Sequence, residues 1–272
     1  MKNKYILSLL SSLLLIGLAT SNVQAQSAFA GFYGQVSTGY ENNQLTNISG
    51  NSVEIPSDGD NDNSSAPSQN FGGAPLVFSL GYYWQANSSW LLGIGADYSA
   101  ISQTSSSWQS NVTNAAGSTG IAAGETNTYS GASMKLSNRF NLFVTPAYAI
   151  DKDKLVYLKA GYSQVTAQYN RPTSLTKAIN GVSTSYAATN GNQSSNQGGY
   201  LVGLGYKQII TSGLYGFVEG NYMGYNAPSY KFTSVNASDT AHGSNTGQTR
   251  TVTANFASLN TYQLLIGVGY AF

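Results

Sequence analysis

The chain has 272 residues, no cysteine, 41% hydrophobic residues, 8% charged residues and a formal net charge of +1. A soluble domain ordinarily carries about 25% charged residues, so this composition does not build the usual charged aqueous surface, and without cysteine neither a disulfide framework nor a thiolate metal site is available. Near-neutral charge supplies no electrostatic basis for nucleic-acid binding, and no nucleic-acid partner is expected.

The N-terminus opens with Lys2 and Lys4, continues as an apolar run over 6–19 and reaches Val23-Gln24-Ala25, with small residues at the −3 and −1 positions of a cleavage site. That order predicts a secretory signal peptide over 1–25 and a mature domain over 26–272. The run is too short for a spanning helix, which needs about 20 apolar residues. No later stretch approaches that length. If the mature domain crosses a membrane, it must do so with strands.

Eight segments then show period-two alternation, at 31–40, 74–85, 90–101, 133–150, 155–166, 199–209, 214–225 and 260–272. Alternation of this kind predicts strands with one apolar face. The second sets Leu76, Phe78, Leu80, Tyr82 and Trp84 against Val77, Ser79, Gly81, Tyr83 and Gln85. The last sets Tyr262, Leu264, Ile266, Val268, Tyr270 and Phe272 against Thr261, Gln263, Leu265, Gly267, Gly269 and Ala271. Pro146 interrupts the fourth, and predicts either a bulge there or a strand that pairs fully only before it.

The connections alternate between long polar stretches (41–73, 102–132, 167–198, 226–259) and four-residue turns (86–89, 151–154, 210–213). Structureless loops of that length are uncommon in a compact soluble domain. Short periplasmic turns opposite long extracellular loops are the rule in outer-membrane barrels. The pattern therefore predicts an all-β fold, an eight-stranded antiparallel transmembrane β-barrel. It would be an up-and-down meander with four long extracellular loops and three short periplasmic turns.

Charges sort by face. Lys135 and Arg139 oppose Phe140, Leu142 and Val144, and Asp97, Lys159, Lys207 and Glu219 likewise avoid the apolar face of their segments. These six are expected in the lumen, four positive against two negative, with Glu219 paired to Arg139 or Lys159. An eight-stranded lumen is just wide enough for side chains to fill, so a structural plug is favoured over conduction. A conducting lumen with that positive excess would prefer anions mildly. Aromatic residues sort by height. Tyr40, Tyr98, Tyr162, Tyr200, Tyr222 and Tyr262 are expected outside near the long-loop rim. Tyr82, Trp84, Trp90, Tyr148, Tyr206, Tyr270 and Phe272 are expected outside near the short-turn rim, making two girdles.

Two loop features bear on chemistry. Asp58, Asp60 and Asp62 have the D-x-D-x-D spacing of a hard-cation loop, but Asn63 and Gln69 stand where a calcium loop has Gly and Glu. With Glu41 and Glu54 they make an acidic stretch without Lys or Arg, and a solvated tip is the favoured reading over a weak calcium site. The one histidine, His242, lies three residues from Asp239 in a flexible polar loop, which would not hold a triad in geometry. No enzymatic activity and no cofactor are expected.

The signal peptide, the eight alternating segments, LYGFVEGNYMGY at 214–225 and the terminal GVGYAF resemble the small outer-membrane β-barrels of the OmpA/OmpX type and the related opacity-like surface proteins. The resemblance implies residence in the outer membrane of a Gram-negative bacterium with the loops extracellular. It also implies contact with lipid and lipopolysaccharide. In that family the last strand carries the signal read by the barrel assembly machinery, and Gly267, Tyr270 and Phe272 match its positions. Leu265 departs from the polar residue expected there. A non-enzymatic surface protein is then expected, whose loops serve adhesion, host interaction or surface shielding. A narrow porin-like channel for small solutes is the alternative.

Overall fold

A computed structural model describes residues 27–55, 61–114, 121, 124–188, 191–235 and 249–272. The expected signal peptide, Asp58, Asp60, Asp239 and His242 lie outside the described residues. Among the described residues the fold is all-β and antiparallel, with seventeen strands.

Eight strands are long or central: β1 (Gly31–Thr46), β5 (Leu76–Gln85), β6 (Trp90–Ser99), β9 (Glu125–Asp151), β10 (Lys154–Asn170), β13 (Asn192–Thr211), β14 (Leu214–Tyr225) and β17 (Ser258–Ala271). Their ladders run β1–β5–β6–β9–β10–β13–β14–β17, and β17 pairs again with β1, Tyr33 opposite Ala271. The remaining nine are β2 (Ile48–Ile55), β3 (Asn61–Ala66), β4 (Gln69–Gly73), β7 (Gln103–Thr104), β8 (Trp108–Asn114), β11 (Ser174–Ile179), β12 (Val182–Ala187), β15 (Ser229–Val235) and β16 (Thr249–Asn255). They lie in the stretches expected to be loops. A second set of ladders joins seven of them into a collar in the order β12–β11–β9–β8–β3–β2–β16–β15, in which the upper part of β9 takes part, while β4 pairs with β1 and β7 with β9. The collar strands carry few apolar residues, such as Trp108 and Val112 on one face of β8 and Tyr230 and Phe232 on one face of β15, and so lack the long one-sided apolar period by which strands are recognised.

Side chains of the central strands are sorted by parity. On β17, Leu264 is 66% exposed and its neighbour Leu265 is 3% exposed. Leu80, Leu92, Leu142, Leu158, Leu204, Val218, Ile266 and Val268 share the outer side with Leu264. Aromatic residues edge this outer belt. Tyr200, Tyr222 and Tyr262 form one row with centroids 5.9 and 5.0 Å apart. At the other end Phe32 meets Tyr82 at 4.8 Å, Trp90 meets Tyr148 at 5.3 Å and Tyr270 meets Phe272 at 5.1 Å.

Parity on β9 changes at Asn138, which has φ of 51° and sits at a register shift against β10 between Gln164 and Thr166. An extra residue in one strand is a bulge, and it moves all following side chains to the opposite face. Below it Arg139, Asn141 and Phe143 point inward; above it Ala132, Met134 and Leu136 do. Lys135 is therefore on the outer side, half-exposed beside Gln168 of β10, and does not join the interior charges as the unbroken alternation predicts. Pro146 causes no bulge. The register is the same on both sides of it, Ala160 opposite Val144 and Tyr157 opposite Ala147, and only the two rungs at Leu158 and Lys159 are missing. A proline lacks the N–H for one rung but need not shift the strand.

The turn over 86–89 between β5 and β6 has the expected four residues, and the other two short turns are tighter. Residues 152–153 connect β9 to β10 and residues 212–213 connect β13 to β14, with Gly213 at φ of 81°. Such positive φ at the end of a tight hairpin is where glycine is favoured.

Candidate functional site: a layered interior beneath a polar collar

The interior is filled in three layers. At the short-turn end Phe29, Tyr33, Tyr83, Leu155, Tyr157 and Phe217 form an apolar cluster. At the collar end Trp108, Met134, Tyr169, Tyr230, Phe256 and Leu259 form another. Between them lies a polar layer. Gly267 and Gly269 of β17 belong to the lower wall, where a Cβ would fall 2.6 Å from the Phe217 ring and 2.4 Å from the Tyr215 ring. These glycines make room for the two inward aromatics, while Tyr270 and Phe272 stay on the outer surface.

Lys159 is the centre of the lower polar group. Its Nζ donates to Asp97 at 2.8 Å and to Glu219 at 2.9 Å, and it lies 4.1 Å from the Phe143 ring centroid. Glu219 also accepts from Tyr157 at 2.7 Å and Asn221 at 2.8 Å, and Asp97 accepts from Asn141. Charges in such a medium persist only when paired and hydrogen-bonded.

Arg139 is the centre of the upper group and pairs with Glu41 rather than Glu219. It also donates to the Tyr225 hydroxyl at 2.9 Å, Asn43 at 3.1 Å and Thr261 at 3.2 Å. Glu41 accepts further bonds from Asn43 at 3.0 Å and Gln263 at 2.8 Å. Glu41 was expected in the acidic loop. β1 continues to Thr46, however, and Glu41 keeps the inward parity of Tyr33 and Ser37.

Among the described residues Lys207 makes no ion pair. Its ammonium lies 4.1 Å from the Tyr33 centroid and 5.1 Å from each of Tyr83, Tyr157 and Tyr215. Four ring faces offer quadrupolar attraction instead. Among the described residues the buried charges are thus Arg139, Lys159 and Lys207 against Glu41, Asp97 and Glu219. This balance replaces the expected positive excess and removes the basis for anion preference.

The collar contains an ion pair between Arg250 of β16 and Asp62 of β3 at 2.6 Å. Asp62, the described member of the possible calcium loop, is thereby engaged by a cationic side chain. Arg171, in the connection after β10, lies with its guanidinium carbon 3.9 Å from the Phe232 ring centroid on β15. Neither arginine stood out in the sequence, since each is an isolated charge in a polar stretch.

No protein-family model matches the chain, and no curated protein matches it. Among solved structures, the chain is similar to Ail, the attachment invasion locus protein of Yersinia pestis. The identity is 13%, the coverage 89% of this chain and 99% of that one, and the TM-score 0.35. It is also similar to the outer membrane protein OprG from Pseudomonas aeruginosa at 13% identity, with 92% and 99% covered and a TM-score of 0.44. The outer membrane protease OmpT from Escherichia coli is similar at 11% identity, with 93% and 100% covered and a TM-score of 0.42. These three are small outer-membrane β-barrel proteins, and at such scores the likeness is one of strand arrangement alone.

Proposed function

We propose that this chain is a non-enzymatic integral protein of the Gram-negative outer membrane. Eight strands form its transmembrane barrel, the short turns face the periplasm, and the collar stands outside the cell as a binding or shielding surface. The observation that carries this reading is the inverted distribution of side chains. A belt of exposed leucine, isoleucine and valine surrounds an interior holding six buried charges, and aromatic rows edge the belt at both ends. Fully burying such a side chain is worth about 1.5–3 kcal/mol, so an apolar belt encircling the molecule needs lipid. Contiguous apolar patches on soluble monomers rarely exceed a few hundred Å².

The three filled layers support a plug rather than a porin-like path, since a passage would have to breach two apolar clusters and an ion-paired layer. The polar, low-charge collar supports a role in adhesion or host contact, because binding residues concentrate on segments held by a rigid scaffold.

Outer-membrane fractionation combined with gel migration before and after boiling tests the location. A heat-modifiable band in the outer-membrane fraction is expected; a soluble protein migrating identically in both lanes overturns the reading. Planar bilayers are expected to stay silent, and reproducible open steps that change on Lys159→Met would establish the channel instead. Adhesion is tested by cell binding that is lost when collar segments are deleted from a barrel that still folds.

A further inference from the structure

The collar sheet is open. Among the described residues β12 is laddered only to β11, and β15 only to β16, so these two strands are its edges. Near this seam lies a cavity of about 80 Å³, lined in part by Ile48, Val112, Tyr169, Arg171, Phe232 and Ala254. A space of about 10–15 Å³ on that scale holds one water, so the cavity admits the head and part of the body of a small organic molecule.

Arg171 is built into its wall in an unusual way. One face of the guanidinium lies on the Phe232 ring. On Gly191, an added Cβ would come within 3.4 Å of the guanidinium carbon, so this glycine packs closely against it. Packing on the planar group fixes its plane and leaves the edge, with its N–H donors, to meet a ligand. The Nε is buried and has no hydrogen-bond partner, and among the described residues Arg171 makes no ion pair. The other charged residue lining the cavity, Asp62, is held in an ion pair by Arg250 of β16. Tyr169 offers no countercharge, because burial pushes its hydroxyl up to about 12 and it stays neutral at physiological pH. Buried unsatisfied donors are rare in native proteins, and one on a fixed cation beside a cavity walled by both apolar side chains and hydroxyls such as Ser52, Ser110 and Thr253 points to an absent acceptor.

We propose that the collar cavity binds a small organic carboxylate with an apolar body, its head taken by the edge of Arg171 and its body lying against Tyr169 and Phe232. Carboxylate geometry matches the guanidinium fork, and Ile48, Val112 and Ala254 supply apolar walls for the remainder. The site rests on the proposed reading only in that the ligand arrives from the aqueous side of the collar.

Calorimetric titration of the full-length protein, refolded into phospholipid nanodiscs, tests the site with benzoate, benzamide and benzylammonium. Benzoate is expected to saturate one site and to bind about tenfold or more tighter than benzamide, with no binding of benzylammonium. Arg171→Gln is expected to erase the preference for benzoate over benzamide. Phe232→Leu is expected to weaken both ligands and keep the preference. Heat-modifiable migration identifies any variant that has not folded, and the two substitutions are independent of each other. The proposal is overturned if wild-type protein does not saturate with benzoate, if all three compounds bind alike, or if Arg171→Gln binds benzoate unchanged. Absence of binding by a heat-modifiable wild-type protein removes the site and leaves the barrel reading intact.

Discussion

Arg139 of β9 pairs with Glu41 of β1, a partner 98 residues earlier in the chain and three ladders away around the wall. The pair crosses the interior, so it ties opposite sides of the structure rather than neighbouring strands. Removing one member of a buried pair leaves an uncompensated charge and costs about 3–5 kcal/mol. Glu41→Leu and Arg139→Met should each lower stability by that amount in urea unfolding from lipid vesicles. The double variant should cost clearly less than the two together. Strict additivity would show that the two side chains do not interact.

Lys159 and Lys207 are both buried, yet their removal should differ. Lys159→Met strands the Asp97 and Glu219 carboxylates and is expected to cost about 3–5 kcal/mol. Lys207→Met removes no ion pair found among the described residues, since the ammonium lies against tyrosine rings, and should cost less than half as much. Equal losses in the same unfolding assay would contradict this assignment of partners.

The outward face of β17 gives a depth-dependent test. Leu264→Arg places a cation within the apolar belt and should cost about 2–4 kcal/mol, whereas Tyr262→Arg at the aromatic row should cost about 0–1 kcal/mol. Equal costs at the two positions would argue against a membrane lying across the belt.

The bulge at Asn138 makes a prediction about accessibility. With no native cysteine, Lys135→Cys should react with a hydrophilic maleimide in the folded protein, and Met134→Cys should react only after unfolding. The reverse pattern would mean that the alternation continues unbroken through Asn138.

Gly267 is confined by the Val36 carbonyl and the Phe217 ring, to which an added Cβ would approach within 2.3 and 2.6 Å. Gly267→Ala should therefore cost about 1–3 kcal/mol through overpacking, even in purified protein refolded without any assembly machinery. Phe272→Ala touches only the outer surface and should leave that refolding unaffected. If Phe272 is part of an assembly address, its loss should appear as reduced outer-membrane yield in cells.

Much of the wall was legible from the chain alone, and the reason is physical. A strand with lipid or water outside and a filled interior must alternate, so Leu264 and Leu265, adjacent and identical in type, receive opposite environments from their parity. The inward placement of Asp97, Arg139, Lys159, Lys207 and Glu219 follows from the same count of two. That count fails where the backbone departs from it. Asn138 carries no local sign strong enough to announce a bulge, so Lys135 changes sides. Glu41 was obscured for a related reason, because β1 loses its apolar residues before it loses its strand.

The collar was not legible because each of its strands carries too few apolar residues to set a period. Polar segments such as β12 pair through backbone hydrogen bonds, which carry no side-chain signature, and their register depends on distant partners such as β9 and β16. By itself, then, the sequence determined the alternation, the two aromatic rows and which face of most strands excludes charge, since each follows from local periodicity in a solvent of known polarity. Only the tertiary structure decided that Arg139 meets Glu41, that Lys207 sits among tyrosines and that Arg171 faces a cavity. Those contacts depend on strand stagger and on the path of the chain across the interior, and no local pattern encodes either.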